Sequence, residues 1–158
     1  MPVVFFVSVG SLGAEAVEHY TPRPTEWPDG TRSDVLYAAD EKAFPPVLAE
    51  VQNVVNDEFM HRLVLYSEAV FKQYRSSPVV LILAIKDITD SVNRQASKDK
   101  THAFLYRLSS FPWAKKCLLL NYDSIHSHMA SIPLDPWVLI RTPPSPTVYV
   151  FGTPALYF

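Results

Sequence analysis

The run PVVLILAIK, residues 78–86, constrains the fold more than any other stretch. From Pro78 to Ile85 every side chain is apolar. Successive side chains of a strand point to opposite faces, so a strand written this way has no face to show to water. Such runs suit the centre of a sheet with parallel neighbours, covered on both sides. A parallel neighbour is reached only through a crossover of a dozen or more residues, usually a helix. The preceding segment supplies one. Asn56 or Asp57 can cap a helix that reaches about Tyr74. Within it Phe59, Leu63, Tyr66 and Val70 fall on one stripe, at spacings of four, three and four. Met60, Val64 and Phe71 widen that stripe, while His61, Glu68, Lys72 and Arg75 lie off it.

Ahead of this helix, SDVLYA (33–38) and PPVLAEVQ (45–52) read as strands. The two prolines stand where a strand begins, the position that tolerates a missing N–H. TPRPTEWPDGT, residues 21–31, is turn-rich, and its Asp29-Gly30 is a hairpin or turn signal. Val3–Val9 reads as an earlier strand from its β-branched and aromatic content. Beyond the central run, residues 87–102 read as polar loop and AFLYRLSSF (103–111) as a helix. WAKKCLLLN contains a short strand, and SIHSHMASI reads as a helix capped by Asp123 or Ser124 and ended by Pro133 and Pro136. The expected architecture is α/β: a mixed central sheet flanked by helices, in one domain over residues 1–140. Residues 141–158 form a Pro-rich tail, loosely ordered, with an edge strand at Val148–Phe151.

A single cysteine, Cys117, rules out an internal disulfide framework and a Cys-cluster zinc site. In the apolar KKCLLL stretch it reads as buried and inert. No apolar run approaches the roughly 18 residues needed to cross a membrane. MPVVFFVSVGSLGAEA has a signal-peptide flavour but lacks a positively charged leader, so a buried first strand or a truncated start is expected. Net charge is −2, and it is unevenly spread. Residues 1–58 carry ten acids and three bases, and residues 59–158 carry six acids and eleven bases. That asymmetry suits a metal site beside a phosphate-binding surface, or ordinary solvated side chains.

Glu50 is the odd residue of an apolar strand. It shares a face with Leu48 and Gln52, while Val47, Ala49 and Val51 line the other. Burying a carboxylate is costly unless a metal, an arginine or solvent meets it. Arg62 or Arg32 could pair with it. Asp34 begins one strand and Glu50 ends the next, so a hairpin that then diverges brings the two carboxylates together. Two carboxylates and a backbone carbonyl are the hard oxygen ligands that Mg²⁺ prefers. Gln52 would point into the same site, able to hydrogen-bond a water but with no proton to titrate. Taken singly, Asp34 also reads as a turn cap, Gln52 as a polar strand end and Arg62 as a structural partner.

The set Asp34, Glu50 and Gln52, in PPVLAEVQ…FMHRLVLYSEAVFKQY…PVVLILAIK, resembles the PD-(D/E)XK nuclease superfamily. It is most similar to the branch with Gln at the catalytic Lys position, the Rpn-type, transposase-associated nucleases. RPTEWPDGTRSD, FPWAKKCLLL and IPLDPWVLI also resemble an uncharacterised fungal set of such proteins, over roughly residues 15–140. The resemblance implies a restriction-endonuclease-like fold and metal-dependent hydrolysis of DNA phosphodiester bonds. It makes Asp34 and Glu50 metal ligands with the Val51 carbonyl, and puts Gln52 in the Lys position. Many members add an acid from a first helix; Glu15 or Glu18 could fill that place, with the first helix short or missing here. The cofactor implied is Mg²⁺ or Mn²⁺. DNA is the expected partner, with RNA second; a homodimer is allowed, a membrane is not expected, and the setting is nucleus or cytoplasm. Arg62, Lys98, Lys100, Lys115 and Lys116 are the candidate nucleic-acid contacts. The alternative is a catalytically degenerate domain of this fold that binds nucleic acid or protein. A zinc site at His126 and His128 is not expected, because two residues apart they do not share a helix face. Trp27, Trp113 and Trp137 could stack on bases, but core packing is the commoner role.

Overall fold

The computed structural model describes residues 19–100, 103–129, 139–141 and 147–149. Its elements are β1 (Tyr20–Arg23), β2 (Val35–Ala39), β3 (Val47–Val55), α1 (Asp57–Tyr74), β4 (Val79–Ile88), α2 (Asp90–Asn93), β5 (Ser97–Lys98), β6 (Tyr106–Leu108), β7 (Lys116–Asn121), α3 (Tyr122–Met129), β8 (Leu139–Arg141) and β9 (Thr147–Tyr149). Among the described residues, seven strands form one mixed sheet in the order β1-β2-β3-β4-β7-β6-β5. The chain is thus α/β, a mixed sheet with helices beside it. The strand expected at Val3–Val9, and Glu15 and Glu18, lie outside the described residues, as do Pro133, Pro136 and Trp137.

The apolar run takes the central place that its composition demands. β4 is parallel to β3 on one side and to β7 on the other. On one face Val80, Ile82 and Ala84 join Leu36, Leu48, Cys117 and Leu119 beneath the α1 stripe of Phe59, Leu63, Tyr66 and Val70. On the other, Leu81 and Leu83 pack with Ala49, Leu118, Leu120, Phe104 and Leu105. Each aliphatic side chain buried this way contributes about 1.5–3 kcal/mol. Trp27 is a core residue too. Cys117 is buried, and that burial pushes its thiol pKa up to about 12. Phe71 is exposed, so the buried stripe of α1 is narrower than its sequence suggests.

Local readings failed where pairing partners decided the structure. Residues 103–111 are not a helix: Tyr106–Leu108 is β6, antiparallel to β7 with Tyr106 opposite Leu119 and Leu108 opposite Cys117. The second edge of β7 needs backbone partners, and that requirement outweighs local propensity. Of the expected loop 87–102, the described residues 87–100 are likewise not plain loop, because β4 runs on to Ile88 and α2 and β5 follow. Part of the turn-rich segment is β1, paired with β2. Pro22 is accommodated there because β1 is the outermost strand. α3 starts at Tyr122, with the Asn121 side chain accepting the Ser124 N–H at 2.6 Å in the manner of a cap. In the tail, β9 overlaps the strand expected at Val148–Phe151 and pairs antiparallel with β8; Val150 and Phe151 lie outside the described residues. Among the described residues no helix is long and apolar enough to cross a membrane.

Asn56 caps α1, its side chain accepting the Phe59 N–H at 2.8 Å. Asn56→Ala is expected to lower stability by about 1 kcal/mol. Leu65→Ala, at an exposed position of the same helix, should change it by less than about 0.5 kcal/mol. Urea unfolding of the two variants measures both values, and a larger loss at Leu65 would contradict this orientation of α1.

Candidate functional site

A tight turn delivers Asp34. The Gly30 N–H donates to the Trp27 carbonyl at 2.9 Å, and Gly30 takes φ of +83°, a region that favours glycine. The Asp29 carboxylate accepts both the Thr31 N–H (2.9 Å) and the Thr31 hydroxyl (2.6 Å), which hold its pKa below the ordinary value. Glu26 and Arg32 bridge across the turn, and the Ser33 N–H donates to the Thr25 carbonyl at 3.0 Å. Trp27 anchors the turn in the core. Asp34 then stands just ahead of β2.

Register brings the carboxylates together. β2 and β3 are antiparallel, with Tyr37 opposite Val47, Leu36 opposite Leu48 and Val35 opposite Ala49. One step further, Asp34 stands opposite Glu50. Residues opposed across an antiparallel pair share a face, and Leu36 and Leu48 mark this face as the one under α1. Here the backbone ladder gives way to side-chain bonds. The Asp34 N–H donates to Glu50 Oε1 at 3.0 Å, and the Val51 N–H donates to Asp34 Oδ2 at 2.8 Å. The N–H and C=O of one strand residue share an edge, so the Val51 carbonyl lies along the edge that β2 no longer covers. Glu50 lies mid-strand, not at the strand's end, because β3 continues to Val55.

The two carboxylates differ in surroundings. Asp34 is exposed, whereas Glu50 is 5% accessible. Burial raises the Glu50 pKa from 4.5 to about 7, the Asp34 charge adds to the rise, and the Asp34 N–H and the Arg62 charge oppose it. Arg62 makes its hydrogen bond to Gln52, Nη2 to Oε1 at 3.3 Å, and its guanidinium lies 5.5 Å from the centre of the Phe59 ring. Next to Gln52 the β3–β4 register shifts by one residue, from Gln52 opposite Ala84 to Val54 opposite Asp87. Such irregularities re-aim side chains beside sites. Tyr66, buried one turn after Arg62, feels the charges of Arg62, Glu50, Asp34 and Asp29. Sequence reading counted Tyr66 only as core stripe; the available signal was its hydroxyl in that stripe, four residues from an arginine.

The lysines do not join this cluster. Lys98 lies on β5, four strand spacings from β3, or about 19 Å. Lys116 alternates with Cys117 and Leu119, which face α1, so it takes the opposite face of the sheet. Lys100 and Lys115 are exposed, and the Lys115 N–H donates to the Pro78 carbonyl at the start of β4. Asp34 and Arg62 are the charges that act on Glu50. Neighbours in sequence were separated by the strand order. Arg62 alone of the expected nucleic-acid contacts stands at the carboxylates.

In kind, the donor set fits a divalent cation: two carboxylates and the Val51 carbonyl are hard oxygen ligands. A cation would also offset the penalty for burying Glu50 as an anion. Among the described residues, no group of three or more His, Cys, Asp or Glu side chains is arranged for a metal. Among the described residues, the oxygen donors gathered at this point are therefore Asp34, Glu50 and the Val51 carbonyl. No family model, no curated protein and no solved structure matches the chain.

Folded, Glu50 keeps its proton up to about pH 7; unfolded, it loses it near 4.5. Between those values the folded state binds more protons, so this carboxyl makes stability fall as pH rises through the window, by about 3 kcal/mol in total. Urea unfolding in EDTA from pH 4.5 to 8 should show that slope, and Glu50→Gln should flatten it. Equal slopes in the two proteins would contradict the burial argument.

Proposed function

We propose that this chain is a metal-dependent phosphodiesterase acting on DNA, with a restriction-endonuclease-like fold of the PD-(D/E)XK kind and Gln in the Lys position. One observation carries the reading: Asp34 and Glu50 meet on one face, one step past the last β2–β3 pair and beside the uncovered edge at Val51. The order of β2, β3, crossover helix and parallel β4 supports it as well.

Asp34, Glu50 and the Val51 carbonyl would hold Mg²⁺ or Mn²⁺. When bound, such an ion lowers the pKa of a coordinated water and polarises a phosphoryl oxygen. The rest of the chemistry falls to the chain. Gln52, steadied by Arg62, orients the attacking water through its amide. Arg62 meets the charge that develops on the phosphate, a role suited to its forked guanidinium. Tyr66 closes the floor between α1 and β3. The intracellular setting, nucleus or cytoplasm, belongs to the same proposal.

A second reading is a degenerate domain that binds without cutting. It is favoured by one observation: an oxygen of each carboxylate, and that of Gln52, is already satisfied by a donor of this chain. Plasmid nicking in Mg²⁺ or Mn²⁺, with EDTA controls, separates the two. We expect nicking by the wild type, its abolition in Asp34→Ala and Glu50→Ala, and a loss of about 10- to 100-fold in Gln52→Ala. A cooperatively folded wild type that never nicks would leave only the second reading.

A further inference from the structure

Away from the carboxylates, α1, α2 and the β6–β7 connection line a half-open cavity of about 260 Å³. Met60, Val64 and Trp113 are among its apolar walls, and Asp57, His61, Gln95 and Ser109 supply polar atoms. These groups are held in place. Trp113 packs against the core, which fixes its ring. The Ser91 hydroxyl lies 2.9 and 2.8 Å from the two Asp57 oxygens and ties α2 to α1. The Gln95 amide donates to the Ser91 carbonyl at 3.3 Å. The Asp57 carboxylate and the Gln95 oxygen can accept hydrogen bonds, and the Ser109 hydroxyl can donate or accept. Such a lining suits a flat ring with polar edges. Pockets for drug-sized ligands begin at about 300 Å³, so this cavity has room for roughly one ring system.

A second observation lies in the same connection. The Ala114 N–H donates to the Ser110 carbonyl at 2.9 Å and the Ser110 hydroxyl to the Ala114 carbonyl at 3.2 Å, closing a turn between them. Phe111 stands within this turn and is 93% accessible. Lys115 follows, also exposed. An aromatic ring in water, an indole over a cavity and a cation within five residues are the elements of single-strand nucleic-acid binding: stacking platforms beside a charge for the backbone.

We propose that this cavity receives one unpaired base of a single-stranded nucleic acid, stacked on Trp113, while Phe111 stacks a neighbouring base and Lys115 meets the backbone. The inference deepens the nuclease reading and rests on it for nucleic acid as the ligand. The cavity and the carboxylate site both border the N-terminal half of α1, through Met60 and Arg62 respectively. A helix with its side chains is about 10–12 Å across, a distance a few nucleotides cover. A strand held at the cavity can thus present a nearby phosphate to Asp34 and Glu50.

The test is fluorescence anisotropy with labelled ten-nucleotide single strands of dT and of dA, in EDTA so that nothing is cut. Wild type should bind, and Trp113→Ala, Gln95→Ala and Phe111→Ala should each weaken binding by about 5-fold or more. Phe111 has almost no packing to lose, so Phe111→Ala keeps the test decisive should Trp113→Ala fail to fold. No binding by the wild type, or unchanged affinity in folded Phe111→Ala, overturns the proposal. So does a blunt-ended duplex of the same length binding as tightly as the single strands. Nicking of plasmid without Trp113- and Phe111-dependent binding removes the cavity's role and leaves the nuclease reading standing. Such binding without nicking keeps the cavity and removes the chemistry.

Discussion

A strand with parallel neighbours on both sides must be covered on both faces, and β4 imposes that condition on everything around it. Neither neighbour can be joined to it by a tight turn, so the chain makes two long crossovers. The first is α1, whose stripe from Phe59 to Val70 covers Val80, Ile82 and Ala84. The second passes through α2, β5 and β6 before β7 takes the far edge of β4. Coverage of the opposite face falls to Phe104 and Leu105, and the Phe104 carbonyl accepts the Ser124 hydroxyl of α3 at 3.1 Å.

The same coverage creates the site. α1 lies over the face that carries Leu48, so it also lies over Glu50, two residues on. A carboxyl placed there loses water, and its pKa climbs toward neutrality for that reason before any charge is counted. Asp34 arrives opposite it because it stands one residue ahead of β2, one step past the Val35–Ala49 pair. The result is an asymmetric pair, one acid exposed and one buried, joined by backbone N–H groups. The stability profile follows from that asymmetry.

Much of this could be read from the residues. The all-apolar stretch from Pro78 to Ile85 identifies a central strand because no other element buries every side chain over so short a length. Asn56 and the four-three-four spacing specify α1 from its cap onward, since both are local signals. Asp29-Gly30 announces its turn. Pairing was harder to see. AFLYRLSSF has enough helix-compatible residues to read as a helix, yet β7 needed a partner for its open edge. Pro22 argued against a strand, and only the position of β1 at the sheet's margin admits it. Lys98 and Lys116 read as nucleic-acid contacts alongside Arg62, and the strand order set them on β5 and β7, away from the carboxylates.

The sequence by itself determined the elements with local causes: the capped helix, the central strand, the turn, and the chemical identity of Asp34, Glu50 and Gln52. Tertiary structure decided what those residues experience. That Glu50 is buried mid-strand, that Arg62 turns to Gln52, that Tyr66 joins the charges, and that Trp113 walls a cavity with Met60 all depend on α1 crossing a particular face of the sheet. Local propensity acts over a few residues, whereas desolvation and Coulomb forces act through space. The second kind of information exists only once the chain has closed upon itself.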